Sequence, residues 1–308
     1  MALTLEQAIS RIPFLKDARD LRTTELKGGI TNRNYKIESD GKAYVLRITG
    51  EGTDLLGIRR DVEYAASKAA GELGVAPEVH YFIEPEGYLL TRFITGKHIS
   101  PEEMGRPENV RRVADKLRLF HTRAPALQSE FNAFRVVESL AKVSRAHQAK
   151  FPAGFGDLMG RMEEIEAAIL KNPYTPTPCH CDLLNLNFMD EEMPGGKNEL
   201  RILDWEYAGM GDIFFDLANF GHHHRLSDEM VNVLLHQYFG EVRRRDFARL
   251  KLMWPVSELR EALWGTTQTG ISKLDEDFQG YADQWFARVR EDISDARWPE
   301  WLKDVTRT

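Results

Sequence analysis

The sequence predicts an α+β fold in two lobes, with an N-terminal antiparallel sheet and one helix followed by a mainly helical C-terminal lobe. Residues 20–94 carry short alternating runs of apolar and polar residues, separated by turn signals such as the Asp-Gly pair at 40–41. Beyond Gly96 the apolar residues recur at the three- and four-residue intervals of helices. We therefore expect a first lobe at 1–95 and a second at 96–308, with a ligand site in the cleft between them.

Each element follows from its own pattern. The strands are the alternating runs at 21–26, 34–39, 42–49, 79–83 and 88–94. The helices, recognised by their apolar stripes, are expected at 4–16, 57–73, 108–121, 132–149, 156–171, 227–239 and, in pieces, 246–291. Pro255 fits the start of one of these late pieces better than its interior, because proline has no N–H to donate. The stretch from Thr175 to Gly211 predicts strands and loops, and it holds the densest cluster of His, Asp, Asn and Glu in the chain.

Composition and charge narrow the classes of protein. The chain has 308 residues, of which 42% are hydrophobic and 29% charged, values typical of a folded soluble protein rather than a disordered one. Its net charge of −7 disfavours nucleic acid and anionic membranes as partners. The sequence has no apolar run long enough for a transmembrane helix and no secretory signal at its start, so we expect a cytoplasmic protein without membrane insertion. A homodimer is left open.

The polar cluster contains the motif His180-x-Asp182-x4-Asn187, followed by an apolar strand that ends at Asp204 and then by Asp216. Transfer of a phosphoryl group from ATP to a hydroxyl group needs a carboxylate beside that hydroxyl group, which orients it and accepts its proton. The reaction also needs Mg²⁺, a hard cation that oxygen ligands bind. Asp182 fits the role of catalytic base, and Asn187 and Asp204 fit the metal pair.

These motifs are similar to those of the choline/ethanolamine kinase family, within the kinase-like superfamily that also contains aminoglycoside phosphotransferases. Residues 202–208, ILDWEYA, resemble the family's I-D-[FW]-E-Y-[AS], and residues 215–220, FDLANF, resemble its F-D-[IL]-x-N-x-F run. In the first lobe, residues 28–32, GGITN, resemble its G-G-x-[ST]-N loop, and residues 44–48, YVLRI, resemble its V-L-R-[IL] strand. The resemblance covers about residues 20–290 and implies a protein-kinase-like two-lobe fold and a small-molecule kinase that uses ATP and Mg²⁺.

The resemblance also implies roles for the residues that match. Those expected at ATP are Gly29, Thr31 and Asn32 in the glycine turn, Arg47, Glu63, and the backbone around Arg92 and Ile94. Arg47 would contact the phosphates and pair with Glu63 on the first-lobe helix. The backbone from Arg92 to Ile94 would form the hinge that meets the adenine, and Asp216 would brace the catalytic loop from beneath.

The acceptor is expected to be a small molecule. Only eleven residues separate Asp204 from Asp216, which leaves no room for the long activation loop on which protein kinases bind peptides. Ammonium groups are bound best by aromatic faces with a carboxylate nearby. The residues that match the family's choline pocket are Tyr207, Trp264 and Tyr281, with Glu206 beside them and Glu261 where eukaryotic choline kinases carry the first tryptophan of a W-x-x-W pair. Glu261 would add charge to the pocket, which suits ethanolamine or another amino alcohol about as well as choline.

Other interpretations stay open at this stage. The acceptor could be an aminoglycoside, thiamine or another hydroxylated amine, and a catalytically inactive nucleotide-binding module is the alternative of another class. The run Cys179-His180-Cys181 lacks the second Cys pair of a zinc site. The run His222–His224 is expected on the surface or on the wall of the cleft, because consecutive helical residues point in directions about 100° apart and cannot converge on one ion.

Overall fold

The computed structural model describes residues 3–26, 32–50 and 53–307, and its N-terminal part is an antiparallel sheet. A short helix, α1 (Leu5–Ser10), precedes five strands: β1 (Arg22–Leu26), β2 (Asn32–Ser39), β3 (Lys42–Thr49), β4 (Val79–Ile83) and β5 (Tyr88–Arg92). The strands lie in the order β1-β2-β3-β5-β4. Helix α2 (Arg60–Glu72) follows a 3₁₀ turn at Thr53–Leu56, between β3 and β4. The predicted antiparallel sheet with one internal helix is confirmed.

The hairpin between β2 and β3 shows why this segment folds as it does. Ser39 pairs with Lys42 across Asp40 and Gly41. Both turn residues have positive φ, 51° and 73°, a region that Asp and Gly tolerate better than most residues. The turn sets the register of β3 and with it the position of Arg47, whose side chain reaches α2.

The rest of the chain is mainly helical, as predicted. Its helices are α3 (Pro101–Met104), α4 (Pro107–Arg123), α5 (Ala133–Ala146), α6 (Phe155–Ile169), α7 (Ile213–His223), α8 (Asp228–Phe239), α9 (Arg244–Ile271), α10 (Phe278–Ile293) and α11 (Trp298–Asp304). Its short strands are β6 (Gly96–His98), β7 (Thr177–Cys179), β8 (Phe188–Glu192), β9 (Asn198–Ile202) and β10 (Gly209–Gly211). The sequence patterns miss α3, α7 and α11, and the first helix ends at Ser10 rather than at residue 16.

The short strands position the polar cluster. β7 ends immediately before His180, β8 begins immediately after Asn187, and β9 ends two residues before Asp204. β8 pairs with both β6 and β9, and the N–H of Leu203 donates to the carbonyl of Asn187 at 2.8 Å. The loop that follows β7 and the loop that follows β9 therefore lie side by side.

Helix α9 is the central element of the helical part, and it contradicts the interpretation of Pro255. Every residue from Leu252 to Gln268 is buried, and α5, α7 and α10 pack against this helix. Pro255 lies inside the 28-residue helix instead of starting a new one. A proline in a helix interior costs about 3 kcal/mol, and burial of apolar side chains around α9 offsets that cost.

The C-terminal helix α11 packs on the body of the chain. Trp298 and Trp301 are buried, and the indole N–H of Trp298 donates to Glu164 on α6 at 3.4 Å. The ammonium group of Lys251 on α9 lies 5.5 Å from the centroid of the Trp301 ring. Within the described ranges, the helices are all too short or too polar to cross a bilayer.

A buried ion-pair bridge joins the sheet to the helical part. Glu191 on β8 pairs with Arg92 at the end of β5 and with Arg201 on β9, both at 2.6 Å. Arg201 also donates to the carbonyl of Gly74, just after α2. Since Glu191 is only 3% exposed, its charge depends on these two partners. The bridge therefore holds the end of β5 against β8 and β9.

The substitution Glu191→Gln tests the bridge. It leaves the buried guanidinium of Arg201 without its main counter-charge, so we expect the free energy of unfolding to fall by about 3 kcal/mol in urea titrations. Glu199→Gln is the matched control, because Glu199 pairs with the same arginine at 3.0 Å but keeps 42% of its side chain exposed. The control is expected to cost less than about 1 kcal/mol. Equal losses in the two variants would contradict this account.

Candidate active site

Asp216 on α7 holds the loop that carries Asp182. Its carboxylate accepts hydrogen bonds from the backbone N–H groups of His180 and Cys181, both at 2.8 Å, and from Nε2 of His121 at 3.0 Å. Cys181 has a φ of 68°, a conformation that costs energy for residues other than glycine. The two backbone bonds to a fully buried carboxylate offset that cost and hold the loop in one shape.

His180 ties this loop to its neighbour. Its Nε2 donates to the carbonyl of Leu203 at 2.8 Å, and its Nδ1 accepts from the backbone N–H of Asp182 at 3.1 Å. Complete burial lowers the pKa of His180 to about 4, so the ring is neutral at pH 7. A neutral ring with the proton on Nε2 satisfies both bonds at once.

The candidate base and the candidate metal ligands lie where the two loops meet. Asn187 donates through Nδ2 to the carbonyl of Asp182 at 2.8 Å, which leaves its Oδ1 as the ligand atom. Asp204 has a φ of 59° and keeps 35% of its side chain exposed. An amide oxygen and a carboxylate are donors that Mg²⁺ prefers, so this pair of residues fits the ion.

A chain of alternating charges connects the sheet to the loop of Asp204. Arg47 on β3 forms ion pairs with Glu63 on α2 and, at 2.7 Å, with Asp204. Arg60, at the start of α2, pairs with Glu63 at 2.7 Å and with Glu206 at 3.1 Å. The expected pair of Arg47 and Glu63 is therefore present, and each guanidinium group lies between two carboxylates. Such pairing offsets the cost of removing these charges from water.

Glu206 lies at the end of this network that contacts β2 and α2. Its carboxylate accepts a hydrogen bond from Nδ2 of Asn32 at 3.0 Å, in addition to the pair with Arg60. The sequence analysis placed Glu206 beside the aromatic residues of the acceptor pocket, whereas these contacts direct its carboxylate to β2 and α2. Gly29 and Thr31, the other expected residues of the glycine turn, lie outside the described residues.

The segment expected to meet the adenine links β5 to β6. The N–H of Phe93 donates to the carbonyl of Ala43 at 3.0 Å, and Ile94 is buried. The side chain of Arg92 pairs with Glu191, and its backbone N–H donates to the carbonyl of Glu78 at 2.8 Å.

The three aromatic residues expected at the acceptor lie close together. The rings of Trp264 on α9 and Tyr281 on α10 are 5.6 Å apart at 69°. The indole N–H of Trp264 donates to the hydroxyl oxygen of Tyr207 at 3.0 Å, and the hydroxyl group of Tyr281 donates to Glu261 at 2.7 Å. Gly265 permits this packing, because a Cβ atom there would lie 2.8 Å from the Tyr281 ring. The structure thus brings together Tyr207, Glu261, Trp264 and Tyr281.

Arg260, which no sequence motif predicts, lies between the candidate base and the aromatic residues. Its Nη1 donates to Asp182 at 3.0 Å and to Glu261 at 2.6 Å, and its Cζ lies 4.2 Å from the centroid of the Tyr207 ring. Burial raises the pKa of Asp182, and the charge of Arg260 opposes that effect. The available signal was the charged run Glu258-x-Arg260-Glu261 within a long apolar segment, where buried charges need partners.

The histidine run was also misjudged in part. His222 and His224 are buried, so the surface interpretation is wrong for them. Nε2 of His222 lies 2.9 Å from the hydroxyl oxygen of Ser257 on α9. Nε2 of His223 lies 3.7 Å from Glu261, which places His223 at the edge of the acceptor residues.

Among the described residues, one cluster has the proximity of a metal site without its chemistry. His121, Cys179 and Asp216 offer ligand atoms within 4.8 Å of one another. The carboxylate of Asp216 already accepts three hydrogen bonds. Burial raises the pKa of the Cys179 thiol well above its usual range, so it stays protonated. These residues hold the loop rather than an ion.

Comparison with known proteins finds similarity to one family of kinases. The family model described as choline/ethanolamine kinase matches residues 23–226. Protein LicA of Haemophilus influenzae is 24% identical over 223 residues, which cover 70% of this chain and 62% of that protein, less than two thirds of its length. Probable choline kinase 3 of Arabidopsis thaliana is 25% identical over 311 residues, covering 88% of this chain and 86% of that protein.

A solved structure confirms the expected fold. The crystal structure of a choline/ethanolamine kinase family protein from Mesorhizobium loti superimposes with a TM-score of 0.83 at 29% identity. The superposition covers 98% of this chain and 97% of that protein.

The neutral state of His180 makes stability depend on pH. The unfolded chain protonates this residue near pH 6.5 and the folded chain only near pH 4. The contribution of the neutral His180 ring to the free energy of unfolding is therefore complete above pH 6.5 and is lost as the pH falls toward 4. His180→Gln keeps an amide that can donate to Leu203 but does not titrate. In urea titrations from pH 7.5 to 4.5 we expect a variant that is less stable at pH 7.5. Below pH 6 the free energy of unfolding that the variant loses per pH unit should be smaller than the loss in the wild type by up to about 1.4 kcal/mol.

His147→Gln is the control, because His147 is exposed. It is expected to follow the wild-type pH dependence. Identical slopes for His180→Gln and the wild type would show that His180 is not held in its neutral form.

Proposed function

This chain belongs to the choline/ethanolamine kinase family, and we propose that it transfers the γ-phosphoryl group of ATP to the hydroxyl group of choline or ethanolamine with Mg²⁺. The observation that carries the proposal is the position of Asp182. Its backbone carbonyl bonds to Asn187, a candidate metal ligand, and its carboxylate bonds to Arg260, which packs on Tyr207 of the acceptor residues. A base between a metal site and an acceptor site is the arrangement that phosphoryl transfer needs.

Asp182 acts on the hydroxyl group of the acceptor in this proposal. Its carboxylate accepts a hydrogen bond from that hydroxyl group and orients the oxygen toward the γ-phosphorus of ATP. It takes the hydroxyl proton as the new P–O bond forms and the bond from the γ-phosphorus to the bridging oxygen breaks, which releases ADP. The loop contacts of Asp216 and His180 keep the carboxylate in place, so little reorganisation is needed.

The nucleotide is bound between residues of 1–95, the ATP-binding lobe, and residues of 96–308, the catalytic and acceptor-binding lobe. Asn187 and Asp204 would hold Mg²⁺, which when bound neutralises charge on the phosphate oxygens. Arg47 is positioned by Glu63 to donate to the phosphates beside Asp204.

The other nucleotide contacts in this proposal come from the sequence match. The glycine turn with Gly29, Thr31 and Asn32 covers the phosphates, and the backbone between Arg92 and Ile94 meets the adenine.

The acceptor site supports a small amine-bearing alcohol. Tyr207, Trp264 and Tyr281 supply aromatic surface, and Glu261 supplies a carboxylate that is 2% exposed. The segment between Asp204 and Asp216 is occupied by β10 and its flanking turns, so it offers no extended platform for a peptide. A compact, mostly buried site of this kind suits a molecule of a few atoms.

The first experiment is ADP formation from ATP and Mg²⁺ with choline, ethanolamine, thiamine or kanamycin as acceptor. The wild type is expected to turn over choline or ethanolamine. Asp182→Asn removes the base and is expected to lower kcat by about 10³-fold while ATP with Mg²⁺ still raises the Tm. Asp190→Asn is the control, because Asp190 lies on β8 and pairs with Arg112, away from the acceptor residues.

The outcomes separate the alternatives. Turnover confined to thiamine or kanamycin would replace the acceptor class but keep the reaction. Thermal stabilisation by ATP without turnover on any acceptor would contradict the kinase proposal in favour of a nucleotide-binding module. Unchanged turnover in Asp182→Asn would remove this residue from the reaction.

A further inference from the structure

A built-in cation occupies the part of the acceptor site where an ammonium group would be expected. The guanidinium group of Arg260 lies over the Tyr207 ring, with Cζ 4.2 Å from the ring centroid. The residue is 2% exposed and belongs to the buried face of α9. Since a cation gains most from an aromatic face when it lies directly over it, Arg260 already uses the favourable position on this face of Tyr207.

The remaining aromatic residues are arranged by hydrogen bonds rather than as an open cage. The rings of Trp264 and Tyr281 meet edge to face at 69°, and the indole N–H of Trp264 is directed to the hydroxyl oxygen of Tyr207. Tyr281 donates its hydroxyl hydrogen to Glu261. A quaternary ammonium ion has no N–H group and depends on several ring faces, so this arrangement binds it poorly.

The charges around the site also favour a primary ammonium group over a quaternary one. Arg260 is held by both Asp182 and Glu261, so it cannot leave without stranding two buried carboxylates. Three methyl groups on nitrogen would have to pack against this fixed positive charge. A primary ammonium group is smaller, and its N–H groups can donate to the remaining lone pairs of Glu261 and to the hydroxyl oxygen of Tyr281.

Arg260 also offers a hydrogen bond to the acceptor. Its Nη2 is buried and has no hydrogen-bond partner in the part of the chain that the structure describes. An unpaired buried donor of this kind is costly, so a ligand that brings an oxygen atom to it is favoured. The hydroxyl oxygen of an acceptor held at Asp182 meets this need, because Nη1 of the same guanidinium group already bonds to Asp182.

Resting on the proposed kinase function, we infer that Arg260 determines the acceptor specificity of this chain: it excludes quaternary ammonium ions and selects hydroxylated primary amines. Two effects produce this specificity. The fixed positive charge of Arg260 repels a quaternary ammonium ion, and the hydrogen-bond acceptors nearby can be used only by a ligand with N–H groups.

The test is the ratio of kcat/KM for ethanolamine to kcat/KM for choline. The wild type is expected to prefer ethanolamine by about tenfold or more, and Arg260→Met, which removes the charge and keeps much of the volume, is expected to shift the ratio toward choline by a similar factor. Arg260→Lys keeps the charge and should keep the preference. A ratio measured on one preparation does not depend on the fraction of folded enzyme.

Arg249→Met is the matched control. Arg249 is also a buried arginine on α9, paired with Asp212 at 2.7 Å and 5.3 Å from the ring centroid of Phe214. Its loss should lower stability as the loss of Arg260 does, but it should leave the acceptor ratio at the wild-type value.

A second measurement uses the wild type alone. Methylammonium is expected to inhibit competitively against ethanolamine, whereas tetramethylammonium at the same concentration is not. Preference of the wild type for choline, or a ratio that Arg260→Met leaves unchanged, would overturn the inference and keep the kinase function. Absence of turnover with every acceptor would overturn the proposed function and this inference with it.

Discussion

The carboxylate of Asp216 is the group on which the geometry of the candidate site depends. It fixes two successive backbone N–H groups of the loop after β7 and thereby stabilises the left-handed conformation of Cys181. His180, placed by that loop, bonds to the carbonyl of Leu203 and so sets the second loop, on which Asp204 lies. One buried carboxylate therefore determines where both Asp182, the proposed base, and Asp204, a proposed metal ligand, lie. Asp216 itself touches none of the reacting groups.

Ion pairs among β3, α2 and the loop after β9 connect the loop of Asp204 to the sheet. Arg47 and Arg60 share Glu63, and their other partners are Asp204 and Glu206 from the loop after β9. Glu63 is 2% exposed, so moving α2 away from β3 would take Arg47, one of its two ion-pair partners, away from this buried carboxylate. The cost of breaking such pairs couples the position of α2 to the loop of Asp204, and the sheet cannot shift independently of that loop.

Local sequence patterns predict most of the fold. The features that these patterns do not predict depend on contacts between residues far apart in the sequence. The hairpin at Asp40-Gly41 follows from the residues of the turn alone. Helix α7 was missed because Asp216 and Asn219 are buried on it, so it lacks the contrast between an apolar and a polar face. The motif predicts Asp182, Asn187 and Asp204 because their chemistry is tied to short spacings. Arg260 donates to Asp182, which lies 78 residues away, and no spacing rule connects these two residues.

The stability of the fold does not by itself explain why α9 carries buried charged residues. Buried ion pairs are replaced in many proteins by apolar residues of similar volume without loss of stability, because desolvation of the charges cancels their attraction. Arg260 and Glu261 lie in a helix that is buried from Leu252 to Gln268, where apolar side chains would pack as well. Their contacts run instead to Asp182, Tyr207 and Tyr281, the groups that surround the acceptor molecule in the proposed reaction. In the proposed reaction this charge pair lies beside the acceptor, and its effect on the acceptor explains why charged residues stand at these positions.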